Sequence, residues 1–332
     1  MTDAKFDITG VGNAIVDVIA PCDDAFLTEQ NIEKGGMTLI DEVRAKQLYD
    51  EMAPGQEVSG GSAANTLAGI AAFGARGAYI GKVADDALGE IFRHDLNAAG
   101  VDYTTTPLVG GAATARCLIN VTPDAQRSMS TFLGASVFFS ESDINAEKIA
   151  TAKITYLEGY LFDRDEAKQA FVRAAEVAKA AGRLTALTLS DSFCVDRHRA
   201  AFRQLVRNHV DILFANEAEL ISLYEADNFD GALESVRAET RIAAVTRSEK
   251  GAVLIDRGHV ASVPAVPVEK VIDTTGAGDL FAAGMLTGLA KGLSLESSGQ
   301  LGAIAAAEVI SHYGARPMAD LKALAAQAGI EL

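Results

Sequence analysis

Asp273-Thr-Thr-Gly-Ala-Gly-Asp279 is followed at once by the apolar run LFAAGMLTGLA over residues 280–290. The apolar run predicts a buried helix, and the glycines let the chain turn sharply just before it. Successive backbone N–H groups then point outward at the beginning of the helix, where they bind an anion without a lysine. The stretch therefore predicts an anion-binding loop that leads into a core helix.

Asp279 falls in the first turn of that helix, where the helix dipole favours an ionised carboxyl group. Beside an anion site, such a carboxylate can accept a proton from a hydroxyl while charge builds on a transferring phosphoryl group. The alternative is a first-turn acid that only caps the helix. A bare Gly-x-Gly-Asp pattern would favour the cap, whereas the complete motif over 273–279 favours the catalytic interpretation.

Two better-known phosphate motifs are absent from the chain. Gly81-Lys82 is followed by Val83, so no GxxxxGK[ST] loop exists. Gly10 and Gly12 are followed by Ile15 where a GxGxxG motif needs glycine. A Walker-type NTPase and a nicotinamide dehydrogenase both lose support.

A second glycine cluster, SGGS over 59–62, leads into a predicted helix that carries Asn65. Its glycines permit close approach of a ligand to the backbone, and the Asn65 amide can bind hydroxyl groups. A simple joint between loop and helix explains the cluster equally well.

Acidic residues stand at two other candidate positions. Asp17 follows Gly12-Asn13 in an apolar strand, where it is either an edge residue or a ligand for a substrate hydroxyl. Asn216-Glu-Ala-Glu219 follows the strand DILFA, and ligands gather at the carboxyl ends of parallel strands. Glu219 could hold water around Mg²⁺, or the segment could simply begin a helix.

Strand and helix patterns alternate along most of the chain, which predicts a mostly parallel sheet covered by helices on both faces. Strands are predicted over 6–11, 78–83, 154–157, 184–189, 211–215 and 242–246. The segments 15–40 and 104–133 have a two-residue period instead, so they predict a small separate sheet that serves as a lid. We expect one α/β domain over residues 1–332 with this lid as an excursion.

The charge balance excludes some partners. The 332 residues include 29 basic and 45 acidic side chains, a net charge of −16. This balance argues against a nucleic-acid or anionic-membrane surface. The three cysteines form no CxxC pair, and neither a signal pattern nor a membrane-spanning apolar run is present. We expect a cytoplasmic protein with a small-molecule partner.

Together these clusters resemble the ribokinase-like (PfkB) carbohydrate kinase family. The matching segments are GNAIVD (12–17), GGSAAN (60–65), NEAE (216–219), TRSEKGA (246–252) and DTTGAGDLFAAG (273–284). The resemblance implies a ribokinase-like fold, a covered central sheet with a small β lid. It also implies phosphorylation of a hydroxymethyl group on a sugar or nucleoside by ATP with Mg²⁺.

The resemblance also implies roles for individual residues. Asp279 would be the catalytic base, and the anion hole would consist of Gly276, Ala277 and Gly278. The acceptor would be bound by Asn13, Asp17, Gly60, Gly61, Ser62, Asn65 and Glu158. The nucleotide would be bound by Asn216, Thr246, Ser248, Gly251, Thr275 and Gly278, and Glu219 would contact Mg²⁺ through water.

Two further features follow from the same resemblance. The family usually has glycine where this chain has Ser248, which puts the backbone conformation of that loop in question. The segment 311–317, SHYGARP, resembles the family's loop beside the adenine, which in some members adjoins a site for a monovalent cation such as K⁺.

Within the family, the chain resembles adenosine kinases in GNAIVD and in QRSMSTFL over 126–133. By that match, Arg127 would reach the transferring phosphate from the lid; otherwise it is a solvated hairpin arginine. Glu158 resembles instead the acid at this strand end in sugar kinases. We predict phosphorylation of the adenosine 5′-hydroxyl. The alternatives are a ribokinase, fructokinase or 2-keto-3-deoxygluconate kinase, or a non-catalytic regulator on the same fold. A monomer and a homodimer are both compatible with the sequence.

Overall fold

The computed structural model describes residues 4–124 and 126–332, apart from the side chain of residue 163. The larger of its two sheets has nine strands: β1 (Phe6–Val11), β5 (Gly77–Ile80), β6 (Val101–Tyr103), β9 (Ala152–Glu158), β10 (Leu184–Thr188), β11 (Ile212–Asn216), β12 (Ile242–Thr246), β13 (Ala252–Asp256) and β14 (His259–Val263). Their order is β14-β13-β12-β11-β10-β9-β1-β5-β6. The strands from β12 to β6 are parallel, and β13 and β14 continue the sheet in antiparallel pairs.

The smaller sheet contains β2 (Ile15–Pro21), β3 (Met37–Leu39), β4 (Gln56–Gly60), β7 (Ala115–Val121) and β8 (Arg127–Phe132), in the order β3-β8-β7-β2-β4. The helices are α1 (Asp24–Glu29), α2 (Glu42–Glu51), α3 (Ser62–Ala72), α4 (Ala87–Ala98), α5 (Ala146–Ala150), α6 (Asp165–Ala180), α7 (Ser192–His209), α8 (Glu217–Tyr224), α9 (Phe229–Glu239), α10 (Ala277–Lys291), α11 (Leu295–Val309) and α12 (Leu321–Gln327).

Helices cover both faces of the large sheet because its strands are almost entirely apolar. On one face, Ile8 packs in a cluster with Leu67 of α3, Leu280 of α10 and Leu301 of α11. On the other face, α5 to α9 supply a second cluster, in which Phe171 and Phe202 are fully buried. This double layer is the core of the molecule.

The small sheet has two different faces. Val18 and Leu118 pack against Leu48 of α2 on the outer face. Ile15, Cys117 and Ile119 lie on the inner face. Asp17 pairs in register with Cys117, and Arg127 pairs with Val121. Strand alternation therefore places the Asp17 and Arg127 side chains on the inner face as well.

The predicted fold class is confirmed: a mostly parallel sheet between helices, with a second small sheet. The small sheet draws four strands from the expected segments 15–40 and 104–133, of which residue 125 lies outside the described chain. Its fifth strand, β4, lies outside both segments and was not predicted. The sequence QEVSG has no alternating pattern, and it forms a strand because it pairs with β2. Helices α9 and α12 were not predicted, although each follows a capping residue, Asn228 or Asp320.

Within the described residues, no helix is both long enough and apolar enough to cross a membrane.

Candidate active site

The carboxyl ends of the parallel strands bring the separate sequence clusters to one edge of the large sheet. Asn13 follows β1, and Glu158 ends the neighbouring strand β9. Asn216 and Thr246 end β11 and β12, where they are partners in the register. Ligands of open α/β sheets bind outside this edge, so the topology explains why distant motifs meet there.

The N-terminus of α10 is open. Gly276 precedes it with φ +80° and ψ −1°, and no side chain caps the helix. A Cβ atom at Gly276 would lie 2.8 Å from the Cβ atom of Ala315, so only glycine fits this turn. A Cβ atom at Gly278 would meet nothing within 4 Å. The N–H group of Ala277 donates to the Thr274 carbonyl oxygen at 3.2 Å, so those of Gly278 and Asp279 are left for an anion.

Asp279 is held by two donors from α3. Its carboxylate accepts hydrogen bonds from Ser62 Oγ at 2.6 Å and from Asn65 Nδ2 at 3.0 Å. Burial raises the pKa of Asp279, while these two hydrogen bonds and the charge of Arg316 act in the opposite direction. The result is a carboxylate of raised basicity whose orientation is fixed. Asn65 Oδ1 is buried without a partner, which leaves an acceptor free for a ligand.

Asp17 lies across from Asp279 on the inner face of the small sheet. Burial raises its pKa to about 6, the charges of Arg127 and Arg316 lower it, and the charge of Asp279 raises it. A Cβ atom at Gly60 would lie 2.4 Å from Asp17 Oδ2, so glycine at this position makes room for the carboxylate.

Glu158 is 1% exposed and binds to protein groups through both oxygens. Oε1 accepts from the backbone and side-chain nitrogens of Asn13, at 3.3 and 3.1 Å, and Oε2 accepts from Ala63 N at 2.8 Å. Burial raises the pKa of Glu158 to about 7. Its carboxyl group links the end of β1 to the first turn of α3. Next to it, Gly61 has φ +93°, and a Cβ atom there would lie 2.4 Å from the Asn13 carbonyl oxygen. Acceptor binding by Glu158 stays a prediction.

Arg127 lies against the loop that precedes α10. Its guanidinium forms an ion pair with Asp273 and donates to Thr275 Oγ1 at 2.9 Å, and the side chain is 13% exposed. Burial opposes ionisation of Asp273, but hydrogen bonds from Thr275 and Gly314 and the charge of Arg127 hold its pKa below the usual value. Arg127 is therefore not a solvated hairpin residue in this structure. Its contact with a phosphate stays a prediction.

Asn216 and Glu219 form a capping box at the beginning of α8. Glu219 accepts from Asn216 N at 2.9 Å and from Asn216 Nδ2 at 2.7 Å, and its own N–H donates to Asn216 Oδ1 at 2.8 Å. Burial raises the pKa of Glu219 to about 7. In the described chain, no three His, Cys, Asp or Glu side chains are grouped to hold a metal ion. A contact between Glu219 and Mg²⁺ through water stays a prediction.

The loop after Thr246 keeps a backbone that suits glycine. Ser248 has φ +51°, in the left-handed region, so serine adopts here the conformation that glycine favours. Gly251 has φ +82°, and a Cβ atom there would lie 2.0 Å from the Val263 carbonyl oxygen. Ser248 therefore occupies the backbone region that a glycine at this position would favour.

Three residues at this site were missed by the sequence analysis. Arg316, in the segment 311–317, donates from Nη2 to the carbonyl oxygen and Oγ of Ser59 at 2.9 and 3.0 Å. Tyr160 and Phe193 follow β9 and β10 and are 36% and 75% exposed. An aromatic residue shortly after an apolar strand is a signal that the sequence analysis could have used for Tyr160 and Phe193, whereas Arg316 gives no such signal.

The chain belongs to the PfkB family of carbohydrate kinases, because residues 30–322 match the model of that family. It is therefore a kinase, a phosphotransferase with a hydroxyl acceptor, for which the family implies ATP as the phosphate donor, typically with Mg²⁺.

Individual proteins of known structure or curated function are also similar. A probable sugar kinase from Rhizobium etli CFN 42 is 50% identical with a TM-score of 0.92, over 98% of this chain and 99% of that one. Adenosine kinase from Sinorhizobium meliloti is 52% identical with a TM-score of 0.91, over 98% and 100%. Adenosine kinase from Saccharomyces cerevisiae is 27% identical over 92% of this chain and 94% of the relative.

Proposed function

We propose that this protein transfers the γ-phosphate of ATP to the 5′-hydroxyl group of a nucleoside, with adenosine as the preferred acceptor. The observation that carries the proposal is the pairing of Asp279 with an open helix N-terminus. Asp279 is oriented by Ser62 and Asn65, and the first-turn N–H groups of α10 beside it have no side-chain cap. This arrangement suits proton abstraction next to a phosphoryl group.

The proposed reaction is an in-line displacement. The acceptor hydroxyl gives its proton to Asp279 while its oxygen forms a bond to the γ-phosphorus. The bond between the γ-phosphorus and the bridging oxygen breaks, and ADP leaves. The N–H groups of Gly278 and Asp279 stabilise the charge on the phosphoryl oxygens. Mg²⁺, when bound, neutralises charge on the phosphates of ATP.

The remaining predicted residues fit this scheme. Asn13, Asp17, Gly61 and Asn65 border the acceptor, and the small sheet closes over it as a lid. Asn216, Thr246, Ser248, Gly251 and Thr275 border the nucleotide, on the other side of α10.

Exposed aromatic side chains favour a nucleoside over a simple sugar. The Tyr160 hydroxyl donates to the Ser190 carbonyl oxygen at 3.3 Å. Burial of this hydroxyl raises the pKa of Tyr160, as do the nearby charges of Asp191 and Asp279. Tyr160 therefore lies near Asp279, and Phe193 follows closely after Ser190 and Asp191, with which Tyr160 interacts. Stacking of a base on an aromatic ring is worth about 1–3 kcal/mol, and ribose or fructose has no ring system that gains it.

The local charge favours a neutral acceptor. Asp17 and Asp279 both face the acceptor position, Arg127 is already paired with Asp273, and the single charge of Arg316 acts on both carboxylates. An acidic sugar such as 2-keto-3-deoxygluconate would bring a third carboxylate to this pair.

A neutral sugar is the second candidate acceptor. Similarity to the probable sugar kinase from Rhizobium etli supports it. A regulator without catalysis is disfavoured, since a binding protein has no use for a base beside an open anion site.

A panel of acceptors tests the proposal. ADP formation is measured with adenosine, inosine, guanosine, ribose, fructose and 2-keto-3-deoxygluconate, with the Asp279→Asn variant as background. We expect the highest kcat/KM with adenosine, and a selective loss for nucleosides in Phe193→Ala. A higher value with ribose or fructose would identify a sugar kinase, and no turnover with any acceptor would contradict the proposal.

Arg127→Ala tests the proposed phosphate contact separately. We expect lower kcat with little change in the dissociation constant of adenosine. An unchanged kcat would restrict Arg127 to its ion pair with Asp273.

A further inference from the structure

Arg316 belongs to a segment that is fixed on the anion-binding loop. Gly314 N donates to Asp273 Oδ2 at 3.1 Å. Ala315 packs so closely on Gly276 that a Cβ atom at Gly276 would lie 2.9 Å from its Cα atom. Arg316 is the next residue, so its position depends directly on the loop that begins α10.

The Arg316 side chain connects this loop to the small sheet. Nη2 donates to both the carbonyl oxygen and Oγ of Ser59, the residue before Gly60 in β4. Ser59 N in turn donates to Asp95 Oδ2 at 2.9 Å. The Nε atom of Arg316 is buried without a hydrogen-bond partner. The guanidinium therefore bridges two parts of the site and keeps one donor unused.

Three carboxylates lie near enough to act electrostatically on this guanidinium. The charged or titratable groups that act on it are Asp17, Asp95, Asp279 and Tyr79. Asp17 also faces Arg127 and the Cys117 thiol, and Asp279 also faces Glu158, Tyr156 and Tyr160. Burial lowers the pKa of Arg316 to about 10, so it is charged at neutral pH.

We propose that Arg316 is a positioning residue for phosphoryl transfer, which ties the loop before α10 to β4 and keeps Asp17 and Asp279 ionised together. This inference rests on the proposed function, in which Asp17 binds the acceptor and Asp279 takes its proton. Two desolvated carboxylates beside one substrate tend to share a proton, which would disable one of them. Arg316 is the cation that acts on both carboxylates, whereas Arg127, which is paired with Asp273, acts on Asp17.

The pH dependence of kcat/KM with ATP and adenosine tests this role. Arg316→Gln removes the charge, Arg316→Lys keeps it, and Arg173→Gln is the matched control on the exposed face of α6. Loss of a nearby cation raises the pKa of a carboxylate, so the acid limb of the Arg316→Gln profile should move up by about one pH unit. For a limb that moves from pH ~6, near the pKa of Asp17, to pH ~7, the loss relative to wild type grows about fivefold from pH ~9 to pH ~6 and approaches about tenfold at lower pH. Arg316→Lys and Arg173→Gln should keep the wild-type limb.

A second measurement does not depend on activity. In protein labelled with ¹³C at the aspartate carboxyl carbons, the titration of Asp17 is followed by NMR, with Asp17→Asn to assign its signal. The pKa of Asp17 should rise in Arg316→Gln and stay near the wild-type value in Arg316→Lys.

The outcomes separate this inference from the proposed function. An Arg316→Gln protein that folds and keeps both the acid limb and the Asp17 titration of wild type overturns the inference, even if kcat falls. A shifted limb in Arg316→Lys overturns it as well, since the charge is then not what matters. Absence of turnover in wild type overturns the proposed function alone, and the NMR titration still decides on Arg316.

Discussion

Two helices begin at the ligand edge of the large sheet with an acid as their third residue, and they use that acid differently. In α8 the residue before the helix is Asn216 and the acid is Glu219; in α10 they are Gly276 and Asp279. Both acids are largely shielded from water by the protein, and burial raises the pKa of each. The positions match, so the difference lies in what each acid contacts.

Glu219 turns back on its own helix. Asn216 supplies two donors to it and accepts its N–H, so the first turn of α8 is closed by a capping box. Asp279 has no such partner, because Gly276 has no side chain. Its carboxylate is held by Ser62 and Asn65 of another helix, and no side chain caps the first turn of α10. The residue that precedes each helix thus determines whether the acid caps its own helix, as Glu219 does, or remains available for catalysis, as Asp279 does.

The largest expected difference in kcat is between variants that remove the charge of Asp279 and the charge of Glu219. Asp279→Asn should lower kcat by at least about 10²-fold, because the proposed general base is lost. Stability should hold, since the new amide can bind the unused Oδ1 of Asn65. Glu219→Gln at saturating Mg²⁺ should lower kcat less than tenfold, because glutamine also completes a capping box. Steady-state kinetics measure kcat and urea unfolding measures stability for both variants. Equal losses in kcat would contradict the different roles of Asp279 and Glu219.

Filling the open space at α10 gives the next largest effect. Gly278→Ala meets no clash and needs no unusual φ, so stability should stay equal or rise by up to about 1 kcal/mol. The added methyl group should obstruct the phosphoryl group and lower kcat by about 10- to 100-fold. Gly231→Ala, at the third position of α9, is the control and should leave kcat unchanged, because a Cβ atom there makes only ordinary contacts, the nearest at 3.6 Å to Asn228 Oδ1. A Gly278→Ala enzyme with wild-type kcat would show that the phosphoryl group lies elsewhere.

The sequence allowed most of the large sheet to be predicted because its strands are continuous apolar runs between amphipathic segments. Strand β4 was missed for the opposite reason, since its five residues have no period and depend on pairing with β2. The first-turn acids were found from motifs. The different contacts of Glu219 and Asp279 were not predicted, because they depend on the residue before each helix and on the groups that the fold places around it.

Contacts between residues far apart in the sequence could not be predicted at the candidate site. Arg316 donates a hydrogen bond to Ser59, which lies 257 residues earlier, and no local sequence pattern predicts such a contact. Ser62 was predicted to bind the acceptor, whereas its hydroxyl donates to Asp279 here. A motif identifies the residues at a site, and the donors and acceptors become visible only when the chain is folded.

The dependence of activity on Mg²⁺ tests whether Glu219 of α8 also serves the reaction. If Glu219 contacts the metal through water, Glu219→Gln should raise the Mg²⁺ concentration for half-maximal activity several-fold, since an amide is a weaker partner for hydrated Mg²⁺ than a carboxylate. Kinetics at fixed ATP with varied Mg²⁺ measure this shift, and Asp230→Asn in α9 is a control outside the site. An unchanged Mg²⁺ dependence would leave Glu219 as a capping residue only.

Removing the cap itself should have the smallest effect. Asn216→Ala deletes the side chain that bonds Glu219, and loss of such a cap costs about 1 kcal/mol of unfolding free energy. Asn145→Ala is the matched control, because Asn145 caps α5 through Lys148 N at 3.0 Å, and α5 leads directly into the amino end of β9. Both variants should lose similar stability in urea, and Asn216→Ala alone should also raise KM for ATP, since Glu219 then loses its orientation beside the nucleotide. If the two variants behave alike in kinetics as well, the capping box of α8 stabilises the helix without serving the site.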